Sequence, residues 1–309
     1  MSLARALHLV ESPERPGPGP MPQALLRALD INIGRRVQGL LAGDYRSSLP
    51  GLGSELAQVR AYIPGDDVRR IDWNVTARTG EPHVRVDLAE RVLVTWLLLD
   101  TSASMHFGTA DRRKADVADG VAIALGHVAT RRSNRLGVTT FGDSTPQTLP
   151  PRAGRSGLLG LLAALQTRDD GAAGIASLAG ALRRVGALAR QRALIVIVSD
   201  FRGELDWRRS LLQLAGRHDI LAVEIRDPRE EHLPDIGELW LVDPETGRQL
   251  RVDTHDRALR ERFATAAEDE RRRVAQMLSS LGVRHFVLST QGDWLRPLVL
   301  FLRRKTRVA

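Results

Sequence analysis

The spacing of hydrophobic positions becomes a regular alternation of two kinds of segment after residue 91. Segments whose apolar residues recur every three or four positions are typical of helices with one buried face. They alternate with short, predominantly apolar runs, which predict buried strands. The predicted strands are residues 92–99, 136–141, 193–198, 220–225 and 285–288, and the predicted helices are residues 114–130, 158–165, 178–188, 208–215 and 256–281. This alternation predicts an α/β fold in which helices cover both faces of a doubly wound, mostly parallel sheet.

Individual residues also predict where two of these helices begin or end, and a further segment predicts a hairpin. Asp111 precedes the helix predicted at 114–130 and is expected to cap it, and Gly282 is expected to end the helix at 256–281. Residues 239–242 and 249–252 flank an Asp-Pro-Glu-Thr-Gly stretch and predict an added β-hairpin.

The first ninety residues differ from the rest of the chain in composition and in hydrophobic pattern. Residues 1–22 carry four prolines between positions 13 and 20, a composition that predicts a flexible tail. Residues 23–41 suggest a short helix followed by an extended piece, and glycines and prolines then separate short alternating stretches such as 84–88, which predict antiparallel strands. We therefore expect a tail (1–22), a small N-terminal β-rich subdomain (23–90) and a main α/β domain (91–304).

The segment at residues 62–73 concentrates charge around a turn. Pro64-Gly65 fits the centre of a type II turn, and alternating acids and arginines follow, beside Trp73. Two interpretations remain open for this segment: a charge-paired turn that holds its subdomain together, or a surface that recognises a partner.

Composition narrows the function classes. The chain has 43% hydrophobic residues and no cysteine, so it can bury a core, but disulfides, thiol catalysis and thiolate metal sites are excluded. No stretch approaches the roughly 20 apolar residues of a membrane helix, and the N-terminus lacks the apolar core of a signal peptide, which favours a soluble cytoplasmic protein. The net charge of +8 comes almost entirely from arginines interleaved with acids, which favours a solvated surface over a nucleic-acid site.

Two predicted strands end in acidic residues. Asp100 closes the first strand and is followed by Ser102 and Ser104, and Ser199-Asp200 closes the strand at 193–198. Ligands of doubly wound sheets bind at the carboxyl ends of the strands, so these side chains should share one edge. Carboxylates with neutral hydroxyls suit Mg²⁺ or Mn²⁺. The alternative is a purely local role, in which Asp100 accepts bonds from nearby amides as a helix cap or Asx turn.

The Asp100-x-Ser102-x-Ser104 pattern resembles the metal-ion-dependent adhesion motif of von Willebrand factor A domains, and Val-Ser-Asp-Phe at 198–201 resembles the downstream acidic strand end of that family. Pro-Gly-Asp-Asp-x-Arg-x-Ile-Asp-Trp at 64–73 is similar to the bacterial domain of unknown function 58 family. The resemblance covers about residues 40–304. It implies a Rossmann-like A domain without catalytic activity. It also implies an adaptor that works with a MoxR-type AAA+ ATPase and a client protein in the maturation or activation of protein complexes.

One departure concerns the metal ligands. A domains usually supply a threonine from a Gly-Thr-Asp-Leu loop, but the matching stretch here is Gly-Ile-Ala-Ser-Leu at 174–178, with Ala176 at the threonine position. The resemblance therefore implies metal ligands at Asp100, Ser102, Ser104 and Asp200, with Ser177 as a substitute ligand and a weakened site.

Two alternative functions belong to other classes. An aspartate at a strand end also serves phosphohydrolases, but Ser102 occupies the position at which haloacid-dehalogenase-type enzymes carry a second aspartate. An arginine-mediated nucleic-acid binder is the other alternative, although aromatic residues make up only 4% of the chain.

Overall fold

The structure is a computed structural model that describes residues 17–19, 55–88, 92–130, 134–142, 145–166, 177–203, 205–243 and 246–303. The chain divides into two units, Gln38–Val92 and the combination of Met1–Val37 with Leu93–Ala309. In the smaller unit, strands β1 (Glu55–Ala61) and β2 (His83–Leu88) pair antiparallel, and helix α1 (Trp73–Thr79) lies between them in sequence. Asp66 N donates to Ile63 O and Gly65 has a φ of 107°, as the predicted type II turn requires.

The larger unit contains a six-stranded sheet in the order β10-β7-β6-β3-β4-β5. All neighbours are parallel except β4 and β5. The strands are β3 (Val94–Asp100), β4 (Arg135–Phe141), β5 (Thr148–Ala153), β6 (Leu194–Ser199), β7 (Asp219–Arg226) and β10 (Arg284–Ser289). Strand order reverses between β3 and β6, because the chain first proceeds from β3 to β4 and later returns to the other side of β3. The carboxyl ends of β3 and β6 therefore flank the crevice in which ligands of such sheets bind.

Helices cover both faces of this sheet. They are α2 (Lys114–Ala129), α3 (Gly154–Gln166), α4 (Leu178–Leu188), α5 (Arg208–Ala215), α6 (Arg257–Ser280) and α7 (Leu295–Arg303). Leu97 and Leu99 of β3 pack with α2, α3 and α7, whereas Trp96 and Leu98 pack with α4, α5 and α6. Side chains of a strand alternate between faces, so one central strand contributes to both cores. This is the predicted α/β fold with a doubly wound, mostly parallel sheet.

Strands β8 (Glu238–Val242) and β9 (Gln249–Asp253) pair antiparallel as the predicted hairpin. Three elements, α1, β5 and α7, were not predicted. β5 contains Pro150 and Pro151 and lies at the edge of the sheet, where prolines are tolerated because one side of the strand needs no ladder bonds. The predicted cap is also different: Arg113 is the N-cap residue of α2, and Asp111 instead accepts a hydrogen bond from Gly292 N.

Several predictions concern residues outside the described ranges. These are the tail at 1–22 apart from residues 17–19, the helix and extended piece at 23–41, and the loop at 174–176. Pro18 O accepts a hydrogen bond of 2.8 Å from Trp294 Nε1. None of the helices in the described part of the chain combines the length and apolar character needed to cross a lipid bilayer.

Candidate functional site

Two acidic side chains meet at the carboxyl edge of the sheet. Asp100 is the last residue of β3, and Asp200 directly follows the neighbouring strand β6. Only 5% of Asp100 and 7% of Asp200 is exposed to solvent. The parallel pairing of the two strands thus brings together carboxylates that are one hundred residues apart in the sequence.

The loop after β3 adds two hydroxyls to these carboxylates. Ser102 donates to Asp100 Oδ1 through its backbone N at 3.0 Å and its Oγ at 2.6 Å, and Ser104 Oγ lies 3.1 Å from Ser102 Oγ. Ser104 also hydrogen-bonds to Asp200. Four of the five predicted ligands, Asp100, Ser102, Ser104 and Asp200, therefore form one contiguous cluster. The hydrogen bond from Ser102 N to Asp100 Oδ1 also closes a local Asx turn, which is the purely local role that the alternative interpretation gave to Asp100.

The end of β4 holds this loop in place. Thr101 donates to Phe141 O through both its backbone N and its Oγ1, each at 2.8 Å. The next residue, Gly142, has a φ of 95°, and a Cβ there would lie 2.6 Å from Ser102 N and 2.9 Å from Asp100 Oδ1. A side chain at this position would overlap the loop, so glycine is required both for its conformation and for the close approach.

Three groups outside the predicted ligand set, Ser199, Lys114 and Glu230, complete the surroundings, and sequence reasoning missed the last two. Ser199 Oγ donates to Asp100 Oδ2. Lys114, the first residue of α2, is fully buried, and its Nζ lies 2.6 Å from both Asp200 Oδ2 and Glu230 Oε1. One signal could have identified Lys114: it is one of only two lysines in a chain rich in arginine, and it lies ten residues after Ser104.

The charges of the cluster are unevenly balanced. Burial, and then the charge of Asp200, raise the pKa of Asp100 to about 6, although hydrogen bonds from Ser102 and Ser199 oppose the increase. Burial acts to raise the pKa of Asp200, but the adjacent Lys114 ammonium and hydrogen bonds from Arg202 N and Ser104 together hold that pKa below its usual range. Burial would lower the pKa of Lys114, but the charges of Asp200 and Glu230 raise it. At neutral pH the Asp100 carboxylate thus carries a negative charge that the surrounding protein compensates poorly.

The donor set fits a hard divalent cation. It consists of two carboxylates and two hydroxyls, and oxygen ligands of this kind bind Mg²⁺ and Mn²⁺. In the described ranges, no three acidic, histidine or cysteine side chains are grouped so that they could hold a metal alone. The hydroxyls of Ser102 and Ser104 would therefore have to act as ligands, and the uncompensated charge on Asp100 would favour a cation there.

Ser177, the fifth predicted ligand, has a different role in the structure. It is the exposed N-cap residue of α4, and its Oγ accepts a bond of 3.2 Å from Gly180 N. Among the described residues, no hydrogen bond joins Ser177 to the Asp100 cluster, so its role as a ligand stays a prediction.

Another buried carboxylate, that of Asp227, holds the next part of the site loop. Asp227 accepts bonds from Thr109 N and Thr109 Oγ1 at 2.9 and 2.8 Å, and from Thr290 Oγ1 at 2.7 Å. The ends of β7 and β10 are thereby connected to the segment that leads from the cluster into α2.

Backbone conformation also marks the Asp200 side of the cluster. Phe201 is the one non-glycine residue with positive φ, 54°, in the part of the chain that the structure describes. Its N donates to Ser199 Oγ, and Arg202 N donates to Asp200 Oδ1. Such strained positions concentrate at functional sites, where the surrounding contacts maintain them.

The charged segment at 62–73 can be described within its own unit. Arg60 forms a bidentate pair with Asp66 at 2.7 Å, and Asp72 both caps α1 and pairs with Arg85 at 2.8 Å. These contacts are those of a charge-paired turn. Trp73, however, is 69% exposed, so a partner surface remains open for this segment.

The doubly wound, mostly parallel sheet and the oxygen cluster at its carboxyl edge define the class of the larger unit, an α/β protein with a Rossmann-like sheet. The family model described as "Protein of unknown function DUF58" matches residues 58–273, and the chain belongs to this family. It is 41% identical over 287 residues to uncharacterized proteins of Mycobacterium bovis (Mb1516) and Mycobacterium tuberculosis (Rv1480), covering 93% of this chain and 90% of each relative.

Similar solved structures include conserved hypothetical protein BatB from Bacteroides thetaiotaomicron, with 14% identity, a TM-score of 0.43, and coverage of 67% of this chain and 96% of that chain. The SpRpn10 VWA domain has 19% identity, a TM-score of 0.38, and coverage of 68% and 94%. These similarities concern the fold alone.

Proposed function

We propose that the protein is a non-catalytic adaptor that binds an acidic group of a partner protein at the carboxyl edge of its sheet, through Mg²⁺ or Mn²⁺. Asp100, Ser102, Ser104 and Asp200 would hold the cation, with Ser177 as a further candidate ligand. The observation that supports this proposal most is the cluster itself, in which two buried carboxylates and two hydroxyls converge with too little positive charge around Asp100.

Each residue of the proposed cation site and of its surroundings has a separate role. Asp100 supplies the negative charge, and Ser102 and Ser104 add neutral oxygens that leave the site short of anionic ligands. Lys114 neutralises the Asp200 side, and Thr101 and Gly142 fix the loop against β4. When bound, Mg²⁺ would supply open coordination positions for an oxygen ligand from outside the chain. A carboxylate is the ligand that best completes such a site, which is why we propose an acidic group on the partner.

The absence of catalysis is part of the proposal. A phosphohydrolase would use Asp100 as a nucleophile, which requires a free carboxylate oxygen near the substrate. Here Oδ1 accepts two bonds from Ser102, and Oδ2 accepts one from Ser199. These contacts favour a ligand-holding role for Asp100 over nucleophilic attack.

The family resemblance extends the proposal to a partner class. We propose that a MoxR-type AAA+ ATPase and a client protein are the partners, and that the adaptor takes part in the maturation or activation of protein complexes.

Calorimetric titration of Mg²⁺ and Mn²⁺ into the metal-stripped protein tests the site. We expect saturable binding to the unmodified protein, loss of binding in Asp100→Ala, and unchanged binding in Asp269→Ala, which alters a half-buried acid on α6 that pairs with Arg272. Ser177→Ala reports separately whether that hydroxyl is a ligand. Equal binding by the unmodified protein and Asp100→Ala would contradict the metal site.

Co-sedimentation with the purified MoxR-type ATPase of the same organism tests the partner, with Mg²⁺ or with a chelator. We expect a complex only with Mg²⁺, and none with Asp100→Ala. A complex that resists both the chelator and this substitution would show that the contact lies elsewhere on the protein.

A further inference from the structure

Lys114 is the least expected group in the site. Its ammonium is completely buried at the start of α2, and it makes two contacts of 2.6 Å, one to Asp200 Oδ2 and one to Glu230 Oε1. A buried ammonium is costly unless it is paired, so the two carboxylates account for its presence there. The pairing explains why the buried charge is tolerated. It does not explain why a lysine contacts Asp200, which is also a ligand of the proposed cation site.

The second carboxylate of the pair has other partners. Glu230 receives a further contact from Arg202 Nε at 3.4 Å, and its Oε2 accepts a bond from Asp227 N. Asp200 has one cationic partner among the described residues, Lys114, together with hydrogen bonds from Arg202 N and Ser104. Asp200 therefore depends on Lys114 for a contacting positive charge, whereas Glu230 also contacts Arg202.

This arrangement changes what the cluster can bind. Without Lys114, Asp100 and Asp200 would present two negative charges to the same space, and a divalent cation would balance them. With Lys114 in place, one oxygen of Asp200 already contacts a cation that belongs to the chain itself. Two positive charges near one carboxylate also repel each other, and the repulsion is strong where solvent is excluded.

We infer that Lys114 is the affinity-determining residue of the site: it acts as a tethered cation on Asp200 and weakens the binding of a free divalent cation. This inference rests on the proposed function, since it concerns the same cluster. Its consequence is that the cluster alone holds Mg²⁺ loosely and gains affinity when an outside carboxylate adds negative charge. Lys114 is thus a positioning residue, which acts through Asp200.

Titration of Mg²⁺ and Mn²⁺ into Lys114→Met tests the inference. Removing the tethered charge should strengthen binding at least about tenfold relative to the unmodified protein, since like-charge repulsion is lost. Arg113→Met is the matched control, because it removes an exposed positive charge one residue away and should leave the affinity unchanged. The rise in melting temperature caused by Mg²⁺ should also be larger in Lys114→Met, because tighter binding to the folded state stabilises it more.

A second variant protects the test against misfolding, because Lys114→Met leaves the buried Asp200 without its cationic partner and takes one of two cations from Glu230. Lys114→Met combined with Glu230→Gln removes one of those charges and should still bind Mg²⁺ more tightly than Glu230→Gln alone. Binding that is equal or weaker after removal of Lys114, in both backgrounds, would make Lys114 a purely structural ion pair.

The outcomes separate this inference from the proposed function. If the unmodified protein binds no cation but Lys114→Met does, the inference holds and the metal dependence of the natural protein fails. If both bind equally, the inference fails and the proposed site stands. If neither protein binds a cation, both are overturned.

Discussion

At the scale of single residues, His218 is a buried group outside the site. Only 4% of it is exposed, and neither ring nitrogen has a hydrogen-bond partner in the described part of the chain. Burial lowers its pKa, as does the charge of Arg217 and, more weakly, that of Arg192, while Asp219 opposes the shift. The fold therefore accommodates the neutral imidazole and disfavours the charged form.

We predict that this histidine makes the protein sensitive to acid. Its folded-state pKa lies below the unfolded value of about 6.5, so the unfolded state takes up a proton first as the pH falls and folding stability decreases. The free energy of unfolding of the unmodified protein should therefore fall more between pH 8 and pH 5 than that of His218→Leu, measured by urea denaturation. Parallel pH profiles for the two proteins would contradict this prediction. The comparison is needed because Asp100, with its raised pKa, contributes in the opposite direction.

The site residues differ in how far the sequence predicts them. The proximity of Asp100, Ser102, Ser104 and Asp200 could be predicted because strand ends of a parallel sheet meet at one edge. The expected extended loop is instead a 3-10 helix at Ala103–His106, with Ser102 as its N-cap residue, and the role of these residues as metal ligands stays a prediction. The ion pair between Lys114 and Glu230 could not be predicted, because it depends on how a helix start and a 3-10 turn, 116 residues apart, pack together. Burial of a charge is decided by such tertiary contacts and leaves little trace in local sequence.

At the scale of elements, the close contact between the end of β4 and the loop after β3 determines the shape of the cluster. Gly142 and Gly203 share a φ of 95°, but a Cβ at Gly203 would meet nothing within 4 Å, whereas one at Gly142 would overlap Ser102 and Asp100. Alanine substitutions at these two glycines therefore separate the free-energy cost of a positive φ from the free-energy cost of steric overlap.

We predict that Gly142→Ala is more damaging than Gly203→Ala. Each should lose about 1 kcal/mol of unfolding free energy, because alanine is disfavoured at positive φ. Gly142→Ala should lose more than that and should weaken Mg²⁺ binding at least about tenfold, since its Cβ displaces the ligands. Chemical denaturation and calorimetric titration measure the two effects. Equal losses in both variants would mean that the loop adjusts without cost.

At the scale of elements, the sequence predicts best the strands and helices that are most buried. The parallel strands were predictable because both of their faces are covered, which makes their sequences continuously apolar. Edge strand β5 lacks that signal and contains two adjacent prolines, which normally argue against a strand. Helix α7 was missed although Leu295, Leu298, Val299 and Leu302 are buried at helical spacing, and it contains Pro297, which normally argues against a helix interior.

At the scale of the whole molecule, part of the positive charge is paired with acids. Several of the described arginines contact an acidic side chain. They include Arg60, Arg85, Arg192, Arg226, Arg251, Arg257, Arg260, Arg271 and Arg272. Paired arginines are less available to phosphates, so the number of arginines overstates the attraction to nucleic acid.

We predict that any binding of random duplex DNA is confined to low salt. Affinity should fall more than about tenfold between about 50 and 200 mM salt, because release of counterions is its main source. Fluorescence anisotropy with two unrelated duplexes measures both the salt dependence and the lack of sequence preference. Tight binding that persists at physiological salt, or that distinguishes the duplexes, would favour a nucleic-acid function.

The prolines of β5 have a consequence for how other proteins can approach this one. β5 is the outermost strand on its side of the sheet, and Pro150 and Pro151 have no amide hydrogen to offer. An incoming strand therefore finds an interrupted row of donors, which disfavours β-augmentation and edge-to-edge self-association there. A partner that binds along this edge therefore has to contact side chains, and extension of the sheet through β5 into a neighbouring molecule is disfavoured.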